Sequence, residues 1–191
     1  DPPQVAERTT AIRREMLDGP KALEGADFRA LSADHLTAMF RLYDERFFDG
    51  ELAATLAERG CDVTFRLSTR MTRAGGKTNR CRDRAGRESY EIAVAAAMLG
   101  VNFSTVDRPV SVGGLVCRDR LEALQRIMEH EIIHLIEMLA FDKTSCRQKR
   151  FRTMIRNIFG HTGNTHDLVT SAEHARVRHG VFVGATVEFD Y

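Results

Sequence analysis

The chain's 191 residues are 43% hydrophobic and 29% charged and carry a formal net charge of +1, which leaves room for one well-buried domain and points to no particular partner through bulk charge. The most apolar stretch, residues 121–141, is broken by Glu122, Arg126, Glu129, Glu131 and Glu137; it is not one of the runs of roughly 20 apolar residues that span a bilayer, and no secretory signal is visible. Cys61, Cys81, Cys117 and Cys146 form no Cys-x-x-Cys pair, and a chain of this length needs no disulfide framework, so reduced thiols in a cytoplasmic protein are expected.

In chain order, residues 3–18 read as a polar helix halted by Gly19-Pro20. A loop runs to Leu31. Ser32 is placed to cap a second helix, in which Leu36, Met39, Phe40, Tyr43 and Phe47 recur at helical spacing before Asp49-Gly50 ends it. A short helix over 52–59 follows. Val63, Phe65 and Leu67 then alternate with polar residues as in a half-buried strand. Residues 70–87, rich in Gly, Arg and Asn, read as a turn or loop, and Tyr90, Ile92 and Val94 alternate again. Val110, Val112 and Leu115-Val116 suggest a third strand, a reading weakened by Gly113-Gly114.

Residues 119–140 form the strongest predicted helix, free of Gly and Pro, with apolar side chains at 121, 124, 127, 128, 132, 135, 138 and 139. After a loop at 142–145, a helix over 147–159 carries Phe151, Ile155 and Phe159 on one face and ends at Gly160. Val181, Val183, Thr186-Val187 and Phe189 look like the opening strands of a β unit. The order of elements predicts an α+β fold, a small sheet of about three strands packed on helices.

The chemistry concentrates in His130-Glu131-Ile132-Ile133-His134, in the middle of the strongest helix. Two His residues at i and i+4 lie one turn apart on the same face, within reach of one tetrahedral ion such as Zn2+. Glu131 then projects beside the ion rather than onto it, where its carboxylate can act as general base toward a water whose pKa zinc lowers to about 7. The competing reading is a His pair buried for packing alone. A metzincin would need Gly and His at three and six residues after the second His, where this chain has Glu137 and Ala140. A carboxylate ligand from the next helix is excluded, because residues 147–159 contain no acid.

Further segments stand in register with this motif. Leu42-Tyr43-Asp44-Glu45-Arg46-Phe47-Phe48-Asp49-Gly50-Glu51-Leu52, then Ala74-Gly75-Gly76-Lys77-Thr78, then Tyr90-Glu91-Ile92 and the His-Glu-x-x-His helix together resemble the SprT-like family, relatives of the Spartan metalloprotease, over roughly residues 36–166. The resemblance implies a zincin-like minimal metalloprotease fold over 31–170, preceded by an N-terminal helical extension at 1–30 and followed at 171–191 by the start of a C-terminal β unit. It implies peptide hydrolysis with Glu131 as the catalytic base, His130 and His134 as zinc ligands, and protein substrates that include proteins bound or crosslinked to DNA.

The chain departs from the family at the third ligand, usually a His in a His-Gly-x-x-(Phe/Trp) segment opening the next helix. Here Phe151 follows Cys146-Arg147-Gln148-Lys149-Arg150, and Arg147 stands where that His is expected. Arginine does not ligate zinc. Cys146, one residue earlier, is one candidate, and His161 is another if the helix over 147–159 returns antiparallel toward the His pair. His166 is a further option, and Glu137, at i+7 on the motif face, could ligate but is read first as a partner that orients a His.

Arg66, Arg70, Arg73, Lys77, Arg80, Arg82, Arg84 and Arg87 fall within 22 residues interrupted only by Asp83, and Arg147, Lys149, Arg150, Arg152 and Arg156 form a second basic cluster. Both flank the motif and are candidate DNA phosphate contacts, against the alternative of solvated loop and helix faces. No aromatic residues interleave with the first cluster, so stacking on single-stranded bases is not indicated. A non-enzymatic, zinc-stabilised DNA-binding or adaptor module is the competing functional class.

Overall fold

The computed structural model describes residues 1–71, 74–101, 103, 109–168, 181–183 and 186–188. Helix α1 (Pro2–Asp18) opens on proline, whose fixed φ and missing N–H suit a first helical turn. Its Ile12 and Met16 are fully buried, Arg13 pairs with Asp119 at 2.7 Å, and Gln125 donates to the Thr9 carbonyl. These contacts seat α1 on the core. The short strand β1 (Ala30–Ser32) leads into α2 (Ala33–Phe48) through a capping box, with the Ser32 hydroxyl accepting from His35 N–H and His35 Nδ1 accepting from Ser32 N–H. Leu36, Met39, Phe40 and Tyr43 are buried. Asp49, in the left-handed region, ends the helix, and buried Asp44 accepts from the N–H groups of Leu52 and Ala53 at the start of α3 (Glu51–Glu58).

The main sheet joins β2 (Asp62–Ser68), β3 (Gly76–Arg82) and β4 (Glu88–Ala95) in the order β2-β4-β3. β2 runs parallel to β4, and β3 is the antiparallel edge. Three strands were expected, but the third is not the one read from the sequence. It lies within the segment taken as a loop. The residues of β3 that turn inward are Gly76 and Thr78, both buried on either side of exposed Lys77, so burial alternates over 76–78 where hydrophobicity does not.

Helix α4 (Ala96–Val101) follows. The residues expected to complete that sheet instead form a hairpin, β5 (Val110–Val112) with β6 (Leu115–Cys117). Gly113 and Gly114, at φ 61° and 75°, make its two-residue turn, the conformation for which paired glycines are suited.

Asp119 caps α5 (Arg120–Phe141) by accepting from Glu122 N–H. Leu121, Leu124, Ile127, Met128, Ile132, Ile133 and Leu135 are all fully buried, because α5 packs on α1, α2, β3, β5 and α6 (Lys149–Phe159) at once. Buried Arg120 ties down its N-terminal end by donating to the carbonyls of Leu99, Phe28 and Gly100. At the other end Arg59 and Arg80 donate to the carbonyls of Leu139 and Met138. Phe151, Ile155 and Phe159 bury one face of α6, which stops at Gly160 (φ 75°).

β7 (His166–Asp167) adds to β5. β8 (Val181–Val183) pairs with β9 (Thr186–Glu188), and β9 pairs with β1, so the C-terminal hairpin lies against the segment that enters α2. The architecture is α+β, and among the described residues no helix is long and apolar enough to cross a membrane.

Candidate metal centre

One helical turn on α5 places His130 Nε2 and His134 Nε2 3.1 Å apart. Two nitrogens held about 2.0–2.1 Å from one tetrahedral ion stand about 3.3–3.4 Å from each other, so the pair is already spaced for a shared metal. Cys146, on the loop between α5 and α6, completes the group, and its Sγ and the two imidazole nitrogens lie within 4.8 Å of one another. Phe151, in the first turn of α6, packs on both rings at centroid distances of 4.8 and 4.4 Å. The Cys146 carbonyl accepts from Asn164 Nδ2 at 2.8 Å, tying this loop to the one after α6.

Glu137 orients a His, as expected, but through an intermediary. Thr144 Oγ1 donates to Glu137 Oε2 at 2.7 Å and lies 2.5 Å from His134 Nδ1. A hydroxyl has one proton to give, so with Glu137 taking it, His134 Nδ1–H donates to Thr144. The tautomer that results leaves the His134 Nε2 lone pair free. Arg150 Nε donates to the other Glu137 oxygen at 2.7 Å and completes the chain. Burial pushes the His134 pKa down to about 4 against the opposing pull of Glu137, which keeps the ring neutral and able to ligate. Thr144→Val is expected to weaken zinc affinity by about 10–100-fold. Competition with a chelating dye measures it, and an unaltered affinity removes Thr144 from the site.

Glu131 points to the other wall of the same cleft. Thr78 Oγ1 is 2.8 Å from Glu131 Oε2 and 3.1 Å from its carbonyl. A Cβ at position 76 would fall 2.7 Å from both Cγ and Oε1 of Glu131, so glycine is needed where β3 passes the carboxylate. Burial raises the Glu131 pKa to about 7, with the Thr78 hydrogen bonds acting the opposite way. A general base works best with a pKa near the operating pH. The cleft has a volume of about 680 Å³ and is lined by Lys77, Thr78, His130, Glu131, His134 and Arg147 among others.

His161, the alternative third ligand, does not join this group. Helix α6 does return antiparallel to α5, but its end meets Glu129, which is rotated about 100° around the helix from His130. His161 Nε2 lies 2.6 Å from Glu129 Oε2. The same carboxylate accepts from Tyr43 Oη at 2.8 Å and from Arg126 at 2.8 and 2.9 Å. His161 Nδ1 packs against Gly113, where a Cβ would fall 2.0 Å away. The side chain of His166 and residue Arg73 lie outside the described residues.

The first basic cluster is largely committed inside the molecule. Arg66 pairs with Glu91, Arg80 with Asp142, Arg82 with Glu88 and Arg87 with Asp83. In the second, Arg150 serves Glu137. Lys77, Arg147, Lys149, Arg152 and Arg156 are exposed and make no ion pair with a described residue.

Set against protein-family models, curated proteins and solved structures, the chain matches none. Sequence reasoning missed Thr144, and it named Gly76 and Thr78 within the resemblance without giving either a role. Glycine and threonine in a run that looks like a loop are the signal at 76 and 78, legible only once β3 is known to be a strand. Thr144 carries no local signal.

Proposed function

We propose that this protein is a zinc-dependent peptidase of the minimal zincin type to which the SprT-like resemblance points. His130, His134 and Cys146 hold the ion, and Glu131 acts as general base. The observation that carries this reading is the convergence of three ligand atoms within 4.8 Å beside a buried carboxylate in one open cleft. Two neutral imidazoles and a thiolate are a donor set suited to zinc. Zinc in that position supplies a Lewis acid that polarises the scissile carbonyl and makes water more acidic. Glu131 takes the proton of the attacking water and passes it to the leaving amide nitrogen, while Thr78 holds the carboxylate in place. The edge strand β3 borders the cleft, and an extended protein segment is the substrate this shape admits. Protein held on DNA is the class the resemblance adds.

A second reading keeps the metal but not the catalysis. Cys146 replaces the ligand types more usual in hydrolytic zinc sites, and the exposed cations of α6 would serve a DNA-binding or adaptor module. Stripping the protein with a chelator and reloading it with zinc separates the two. Peptidase action requires one tightly held equivalent of zinc, protection of Cys146 from alkylation, and zinc-dependent cleavage of an unfolded protein. Stoichiometric zinc without cleavage, with or without DNA, leaves the second reading standing.

A further inference from the structure

The candidate cleft is walled by cations. Lys77 on β3 and Arg147 before α6 both line it, and Glu131 is the only carboxylate among its described lining residues. A second cavity of about 400 Å³ shares Asn164 with the cleft and is lined by Arg152 and Arg156, with no carboxylate among the described residues. All four cations are exposed and make no ion pair with a described residue, whereas the neighbouring Arg66, Arg80, Arg82, Arg87 and Arg150 are each paired.

We infer that the two cavities form one trough that selects extended peptide segments bearing acidic side chains. Lys77 and Arg147 receive carboxylates near the scissile bond, and Arg152 and Arg156 receive them farther along. This inference rests on the peptidase reading and names its substrate class.

Three features carry it. Helix α6 is anchored by Phe151, Ile155 and Phe159, so Arg152 and Arg156 are presented on a fixed scaffold. Four residues of helix advance about 6 Å, and alternate side chains of an extended peptide recur on one face every 6.4–6.8 Å or so. The two guanidinium groups therefore match residues i and i+2 of such a peptide. Among the described residues no aromatic side chain lines either cavity, so they offer none of the stacking platforms by which single-stranded nucleic acid is held.

The test uses matched fluorogenic peptides with Glu or Gln at alternating positions, assayed with the zinc-loaded protein. Two exposed carboxylate–guanidinium contacts amount to about 30-fold in affinity at most, so the Glu peptide should show up to about 30-fold higher kcat/KM, carried by KM. Arg152→Glu combined with Arg156→Glu should invert the preference, and the milder Gln pair should erase it. In parallel, anisotropy titration of the Glu131→Gln protein with the same peptides reports the preference without turnover. Equal binding of acidic and neutral peptides overturns the inference. So does a short DNA duplex that binds through Arg152 and Arg156 while no peptide preference exists. If no peptide is cleaved but the acidic one still binds better, the peptidase reading fails and the acidic-segment surface stands.

Discussion

Glu131→Gln is expected to lose about 10²–10⁴-fold in kcat/KM toward any peptide the protein cleaves, with zinc content and melting temperature close to those of the parent. Glutamine keeps the shape of the side chain and can still accept the Thr78 hydroxyl, which lies 2.8 Å from the Glu131 carboxylate. It does not crowd Gly76 further, and it leaves the imidazoles untouched. What it cannot do is take a proton. The measurement is paired: turnover of one fluorogenic peptide, and bound metal by elemental analysis on the same preparation. Turnover within a few fold of the parent, at full metal occupancy, removes Glu131 from the mechanism and with it the zincin-type reading of the site.

Glu129→Gln, one residue away, should act on stability instead. Glu129 and His161 are fully buried against each other, and Arg126 and Tyr43 converge on the same carboxylate. Removing the charged member of a buried ion pair typically costs about 3–5 kcal/mol, because its partners remain desolvated and uncompensated. At roughly 2–4 °C per kcal/mol for a chain of this size, the melting temperature should fall by about 6–20 °C.

The same network sets a pH dependence. Burial alone would raise the Glu129 pKa, but the Arg126 charge and the His161 hydrogen bond outweigh it and bring the carboxyl below its ordinary 4.5. A carboxylate depressed in the folded state contributes stability that is whole above its unfolded pKa and is lost as the pH falls through the folded value. The parent should therefore lose stability steadily below pH 4.5, and the Glu129→Gln protein should show a flatter acid limb. Denaturant melts between pH 3 and pH 7, followed by circular dichroism, measure both curves. Parallel curves and an unshifted melting temperature would make this network energetically neutral.

All the helices but α4 were legible because their causes are local. Hydrophobic spacing, Ser32 and Asp119 at N-caps and Gly160 at a C-terminus all act within a turn or two. The His130–His134 pair belongs to the same class, since i and i+4 on any helix share a face and Glu131 must follow beside them. The edge strand β3 was not legible, because Gly76 and Thr78 turn inward beneath α5 without being hydrophobic. Neither was the fate of the arginines. A linear count weighs Arg80 and Arg152 alike, yet one caps α5 and the other faces solvent.

The sequence by itself determined the helix that carries the site, the two imidazoles and the carboxylate between them, because a single helical turn suffices to bring those groups together. Only the tertiary structure brought Cys146, and not His161, beside the imidazole pair. It also supplied the Thr144–Glu137–Arg150 chain behind His134 and placed Thr78 on Glu131. Those partners are 10 residues away for Thr144 and His134, 32 for His161 and Glu129, and 53 for Thr78 and Glu131. Contacts at such separations depend on how α5, α6 and β3 pack, a long-range outcome that no local pattern encodes.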